Sequence, residues 1–218
     1  MNPSRFSLVI FDCDGVLVDS ELTTNRIFAS MLNELGIPVT PEDMFEQFVG
    51  RSMAACLEKI AVLLGRPVPE GFVHQYQVRT NAALKSDLRA VPGIDTVLDE
   101  IEVPYCVASS GSHEKMQTTL GITGLLPRFQ GKIFSATEVP RGKPFPDVFL
   151  YAAAKSGAEA SACAVIEDSP TGVAAGVAAG MTVYGYCALM PQHRLQEAGA
   201  HHTFDSMSKL LALLSEAP

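Results

Sequence analysis

Residues 7–21 read SLVIFDCDGVLVDSE, where the apolar run Leu8–Phe11 gives way to Asp12 and Asp14, two positions apart. The apolar run suits a buried strand from Ser7 to Asp12, closed by Gly15. An ionised carboxylate at the end of such a strand is costly unless it is paired or holds a metal. The rest of the chain has to supply the charge that meets these two acids.

From Asp19 to about Ser86 the chain reads almost entirely as helix. Leu22, Ile27, Met31, Leu32 and Leu35 suit a helix ending at Gly36, with Pro38 beyond it. Thr40-Pro41-Glu42-Asp43 is a helix start, with a capping hydroxyl, Pro at the first position and acids in the first turn. Ser52 caps a third helix carrying Leu57, Ile60, Val62 and Leu64, closed by Gly65 and Pro67, and Phe72–Leu84 gives a fourth. After Val91–Ile94 the pattern changes. The short apolar runs PYCVAS, GKIFSA, ACAVIED and MTVYGYC alternate with helical stretches, which argues for a parallel sheet with helices on both faces. The expected fold is therefore α/β, with residues 1–15 and 91–218 as the sheet domain and residues 16–90 as an inserted helical domain. The linkers fall near Val16–Asp19 and Leu88–Pro92. In TGVAAGVAAG, Gly172, Gly176 and Gly180 recur every four residues, which predicts a helix packed closely on a neighbour and ended by Gly180.

Composition narrows the function. The chain has 218 residues, 47% of them hydrophobic and 18% charged, with a net charge of −8. That is a globular composition, and without a Lys/Arg cluster it argues against a nucleic-acid partner. No run is long enough for an export signal or a spanning helix, so no membrane is expected. Cysteines 13, 56, 106, 163 and 187 show no CxxC or zinc spacing. They read as reduced thiols of a cytoplasmic protein. Cys13, between the two acids, reads as a small strand-end residue facing the other way, against a second reading as a nucleophile. No GxGxxG and no Walker loop occurs, and nothing indicates an obligate protein partner.

In open parallel sheets, ligands sit at the carboxyl ends of the strands. Asp12 and Asp14 follow the first strand, Ser109-Ser110-Gly111 the second, Glu167-Asp168 a later one, and Lys143 precedes another helix. Like charges about 4 Å apart repel by roughly 4 kcal/mol even at an effective dielectric near 20. Four carboxylates at one rim therefore call for a divalent cation, and an all-oxygen set favours Mg2+ over zinc. Lys143 and the Ser109 hydroxyl supply donors for phosphate oxygens. This set suits phosphoryl transfer, which depends on positioning and charge neutralisation.

Four segments carry a resemblance to the haloacid dehalogenase superfamily, in its branch of phosphatases with a helical cap. DCDGVLVDSE is similar to that family's first motif, VASSG to its second, GKPFPDVF to its third and VIEDSPTG to its fourth, and together they span essentially the whole chain. The resemblance implies a Rossmann-like sheet with residues 16–90 as cap. It implies Asp12 as nucleophile and Asp14 as the acid and base toward the leaving alcohol and water. Mg2+ would lie on the Asp12 carboxylate, the Asp14 carbonyl, Asp168 and Glu167, the last directly or through water. Ser109 would bind phosphate, with Ser110 and Gly111 beside it, and Lys143 would neutralise charge. The acid at Asp14 sets aside carbon–halogen and carbon–phosphorus cleavage.

The expected activity is hydrolysis of a small phosphorylated metabolite, a sugar phosphate or phospho-acid, through an aspartyl-phosphate. Two other readings stand beside it. A phosphosugar mutase would carry a His and an Arg where Thr24 and Met53 stand here; a non-catalytic ligand-binding member would not need both Asp12 and Asp14. Arg51, in a cap turn that relatives point at the substrate, holds a second anionic group or is an ordinary exposed Arg. His113 touches substrate or faces solvent. Asp19 and Ser20 read as a helix cap, and His201-His202 as a solvated turn.

Overall fold

The structure of the protein is a computed structural model that describes residues 5–40, 43–44, 47–49 and 53–215. Its contacts divide the chain into two compact units, Met1–Asp19 with Arg89–Pro218, and Ser20–Leu88.

The first unit holds a sheet of β1 (Leu8–Phe11), β2 (Tyr105–Ser109), β3 (Ile133–Ser135), β4 (Cys163–Glu167), β5 (Thr182–Tyr186) and β6 (His202–Phe204). All are parallel, in the order β3-β2-β1-β4-β5-β6. Every residue of β1 and β4 is buried. Parallel strands covered on both faces read as continuous apolar runs for that reason, and LVIF and CAVI are such runs. α4 (Ile94–Glu100), α5 (His113–Ile122), α6 (Asp147–Lys155), α7 (Pro170–Ala178), α8 (Gln192–Glu197) and α9 (Leu210–Ser215) clothe the sheet. α6 crosses β3, β2 and β1 and meets α7, which lies on β4 and β5. The strand order reverses between β1 and β4, and the crevice at the carboxyl ends of these two strands is where ligands of such sheets bind.

The glycine repeat has a packing reason. A Cβ on Gly176 would stand 2.7 Å from Val183 Cγ2, so α7 sits on β5 at a distance that only glycine permits. Gly180, at φ +73°, follows the helix end in the left-handed conformation that stops it. β6 corrects half of one sequence reading, since both histidines are exposed as expected but stand in different geometry. His201-His202 is not a turn: His202 opens a strand, its ring stacked on Tyr184 at 4.9 Å, and His201 Nδ1 accepts from the Val183 amide. The strand has three residues, too few for a period-2 pattern to register.

The second unit contains α1 (Ser20–Glu34), α2 (Met53–Leu64) and α3 (Phe72–Asp87). α1 and α3 pack on one another, and the ring of Phe28 meets Phe48, Phe72 and Tyr76 at 5.5, 5.9 and 5.2 Å. Leu32 and Ile60 are buried beside this cluster. Pro41, Glu42, Ser52 and Arg51 lie outside the described residues. Among the described residues, no helix is long and apolar enough to cross a membrane.

Candidate active site

β1 ends by donating the Asp12 amide to Ile166 O at 2.9 Å, which fixes Asp12 at the reversal point. The chain then turns sharply, with the Leu17 and Val18 amides returning to Cys13 O and the Gly15 amide to Val18 O. Gly15 adopts φ +81°, and a Cβ there would overlap the Asp168 carboxylate. The turn thus needs glycine twice, for its backbone and for the room it leaves to an acid from β4. The segments leaving and re-entering this unit run antiparallel, joined by Asp19 N to Arg89 O at 2.9 Å and Val91 N to Leu17 O at 3.0 Å.

Asp12, Glu167 and Asp168 each present an oxygen within 4.8 Å of the others, and all three are buried or nearly so. Lys143 is their counter-charge. Its Nζ donates to Asp12 Oδ1 and Glu167 Oε1, both at 2.6 Å, and to Ala108 O at 3.2 Å. These contacts occupy all three N–H donors of the ammonium. Burial alone would depress the Lys143 pKa, but Asp12 and Glu167 outweigh it and push the group up. Burial is also the largest influence on Asp12 and raises its carboxyl; Glu167 adds to this and Lys143 opposes it. One ammonium serving two buried carboxylates leaves negative charge over, with Asp168 adding more. The oxygen donor set and this surplus charge fit a hard divalent cation.

Glu167 is held on its other side too. Its Oε2 accepts from the Asp168 amide, the Ser169 amide and Ser169 Oγ at 3.0–3.1 Å. Ser169 also caps α7 by accepting from Gly172 N at 3.1 Å, and Pro170 occupies the first helical position. Gly172 carries no side chain because the Glu167 carboxylate occupies that space. Each residue of EDSPTG from Glu167 to Pro170, and Gly172, therefore either places an acid or starts the helix beneath it.

The second strand brings Ser109 to the rim, 2% exposed, its Oγ accepting from Gly111 N at 3.1 Å. That leaves the hydroxyl hydrogen for another acceptor. Ser110 is exposed beside it. His113, the first residue of α5, does not reach into the acid cluster; its Nε2 pairs with Glu138 Oε2 at 2.7 Å. Glu138 also accepts from Ser135 N and Tyr151 OH, and these bonds with His113 overcome burial to hold its carboxyl below the usual range.

Sequence reasoning missed Lys115. Its Nζ lies 2.6 Å from Asp14 Oδ2, with the two side chains 47% and 25% exposed. The available signal was a lysine in the first turn of a helix, where the macrodipole disfavours a cation. Cys13 is buried, with Sγ 3.9 Å from Thr119 Oγ1, and burial pushes its thiol pKa up, so it is no ready nucleophile. A cleft of about 180 Å³ opens beside Asp168, walled by Gly15, Asp19, Val91, Tyr186 and Met190 among others.

Residues 9–186 match the family described as haloacid dehalogenase-like hydrolase. The chain is 34% identical over 189 residues to 6-phosphogluconate phosphatase of Escherichia coli strain K12, covering 85% of this chain and 84% of that one. A conserved haloacid dehalogenase-like protein of unknown function from Agrobacterium tumefaciens superposes with a TM-score of 0.90 at 33% identity, over 96% and 97% of the two chains. A haloacid dehalogenase family hydrolase from Deinococcus radiodurans, solved with bound phosphate and sodium, gives a TM-score of 0.86 at 32% identity, over 97% and 96%.

Proposed function

The chain belongs to the haloacid dehalogenase-like hydrolases and is a phosphatase, and on that premise we propose that it hydrolyses a small phosphorylated polyhydroxy metabolite with Mg2+ through an aspartyl-phosphate. The observation that carries this reading is Lys143 bound at 2.6 Å to both Asp12 and Glu167, with Asp168 beside them. An ammonium buried between two acids on strand ends has no structural need there, because well-packed apolar residues would stabilise the fold at least as well.

Asp12 attacks phosphorus with one carboxylate oxygen while Lys143 holds Oδ1. The bond from phosphorus to the ester oxygen breaks, and Asp14 gives its proton to the departing alcohol. Water then attacks the aspartyl-phosphate, yielding its proton to Asp14 and releasing inorganic phosphate and free Asp12. Ser109 donates its hydroxyl to a phosphoryl oxygen, and the Ser110-Gly111 backbone borders the same space. Mg2+ would be held by Asp12 and Asp168 with the Asp14 carbonyl, and would supply positive charge against the phosphoryl oxygens. Glu167 would reach it through water in this reading, because Lys143 and three donors from Asp168 and Ser169 already engage its oxygens. The helical unit, Ser20–Leu88, acts as the cap that selects the leaving group, with Arg51 within it.

The substrate class rests on the similarity to 6-phosphogluconate phosphatase. The test is phosphate release from a panel of sugar phosphates and phospho-acids, with Mg2+ or with EDTA, for wild type and Asp12→Asn. Release that needs the metal and disappears in the variant is expected. Turnover by Asp12→Asn near the wild-type rate would remove the aspartyl-phosphate route.

A further inference from the structure

Lys143 has its three donors on protein acceptors, so a second cation at the rim has a separate task. Lys115 reaches Asp14 Oδ2 at 2.6 Å from the first turn of α5. Its stem gets there by crossing Gly111: a Cβ at that position would lie 3.3 Å from Lys115 Cδ and 3.6 Å from Ser109 Oγ. The backbone amide of Lys115 is tied as well, donating to Ser112 Oγ at 3.3 Å as part of the α5 cap. A cation in the first turn opposes the helix macrodipole, so helix stability does not explain it.

We propose that Lys115 is a positioning residue for Asp14, holding the carboxyl where it exchanges a proton with the leaving oxygen. The inference rests on the role given to Asp14 above. Asp14 stands on a tight turn with its side chain a quarter exposed, and Lys115 is its partner from α5. General acid catalysis requires the acid within hydrogen-bond reach of the departing oxygen, and a displacement of about 1 Å can cost about a hundredfold. Ser109 and Lys115 lie on either side of Gly111, so one short segment would set both phosphate and proton donor. Without the lysine, Asp14 keeps its chemistry and loses the hold that α5 provides.

The role has a signature that a purely structural residue lacks. A leaving group that departs readily as an anion needs no proton, whereas a basic one does. We would measure kcat/KM, with Mg2+ saturating, for a series of substituted phenyl phosphates of one charge and rising leaving-group basicity. Wild type, Lys115→Met and Lys115→Arg are compared, each checked for an unchanged circular dichroism spectrum. The Met variant is expected to lose less than about threefold on p-nitrophenyl phosphate and about tenfold or more on phenyl phosphate, steepening the dependence. The Arg variant should recover part of the loss. An equal loss across the series would overturn the inference and point to phosphate binding or fold, and no loss would overturn it outright. A wild type silent on these esters and on the sugar-phosphate and phospho-acid panel alike would overturn the phosphatase reading and the role of Lys115 together.

Discussion

The carboxylate of Glu167 occupies the place where Gly172 would carry a side chain. The helix α7 therefore approaches β4 closely enough for its N-cap, Ser169, to hold that acid, while Lys143 holds it from the other side. Gly172→Ala should improve helix propensity by about 1 kcal/mol. It should nevertheless lower both melting temperature and turnover, because the methyl group must push Glu167 off Lys143. We expect a fall of at least about tenfold in kcat with KM for the ester changed less, checked by steady-state kinetics and a thermal melt. A variant that is stabilised and fully active would show that the acid can move at no cost.

The surplus negative charge at Asp12 gives a pH dependence with a definite sign. Burial pushes the Asp12 carboxyl up from 3.8 to about 7 in the metal-free protein, against the pull of Lys143. Between those values the folded chain keeps a proton that the unfolded chain has released, so this group's stabilisation is lost as pH rises through the window. The melting temperature of EDTA-treated protein should fall between about pH 5 and pH 7.5, and Asp12→Asn should flatten that fall. Saturating Mg2+ at about pH 7.5 should raise the melting temperature of wild type, since a ligand of the folded state alone stabilises it. A metal-free protein that grows more stable over this range in an Asp12-dependent way would reverse the argument.

Gly15 couples the first strand to the third acid. Its φ of +81° disfavours any side chain, and a Cβ would meet the Asp168 carboxylate. Gly15→Ala should therefore act on metal binding before phosphate binding. The dissociation constant for Mn2+, read by electron paramagnetic resonance on the purified variant, is expected to rise about tenfold, equivalent to about 1.4 kcal/mol. Unchanged Mn2+ affinity would mean that Asp168 is not part of the metal site.

Much of this was legible in the sequence, for identifiable reasons. LVIF and CAVI are uninterrupted because both faces of the sheet are covered, and each ends in acids because its end borders the crevice. The repeat of Gly172 and Gly176 announced a helix packed closely on a neighbour, although nothing local said that a carboxylate and a valine would fill the two gaps. β6 escaped notice because HTF is short and preceded by His201, whose ring accepts a backbone bond rather than facing water alone. Lys115 escaped for a different reason. Its partner lies 101 residues away, and only the pairing of β1 with β2 brings α5 alongside Asp14.

The helical unit depends on one aromatic side chain. Phe28 touches three other rings from the centre of α1, with Leu32 and Ile60 buried nearby. Truncating a buried Phe costs about 3–5 kcal/mol, a large part of what a unit of this size has. Phe28→Ala should make Ser20–Leu88 the first segment cut in limited proteolysis, while the sheet unit survives as a resistant fragment. Cleavage appearing first within the sheet unit would contradict this order of stability.

Cys13 lies between two acids of the site and invites a covalent reading that its surroundings oppose. It is 1% exposed, and burial, then Asp14 and Asp12, push its pKa up. Since the thiolate is the reactive form, such a group is inert at neutral pH. Cys106 is buried as well, its thiol pushed up to about 12, whereas Cys187 is the half-exposed member of the five. Iodoacetamide at about pH 8 should label Cys187 ahead of the others, as read by peptide mass spectrometry, and leave turnover within about threefold of the untreated enzyme. Cys13→Ala should likewise keep turnover near the wild-type rate. Labelling of Cys13 ahead of Cys187, with loss of activity in step, would instead place a reactive thiolate beside Asp12.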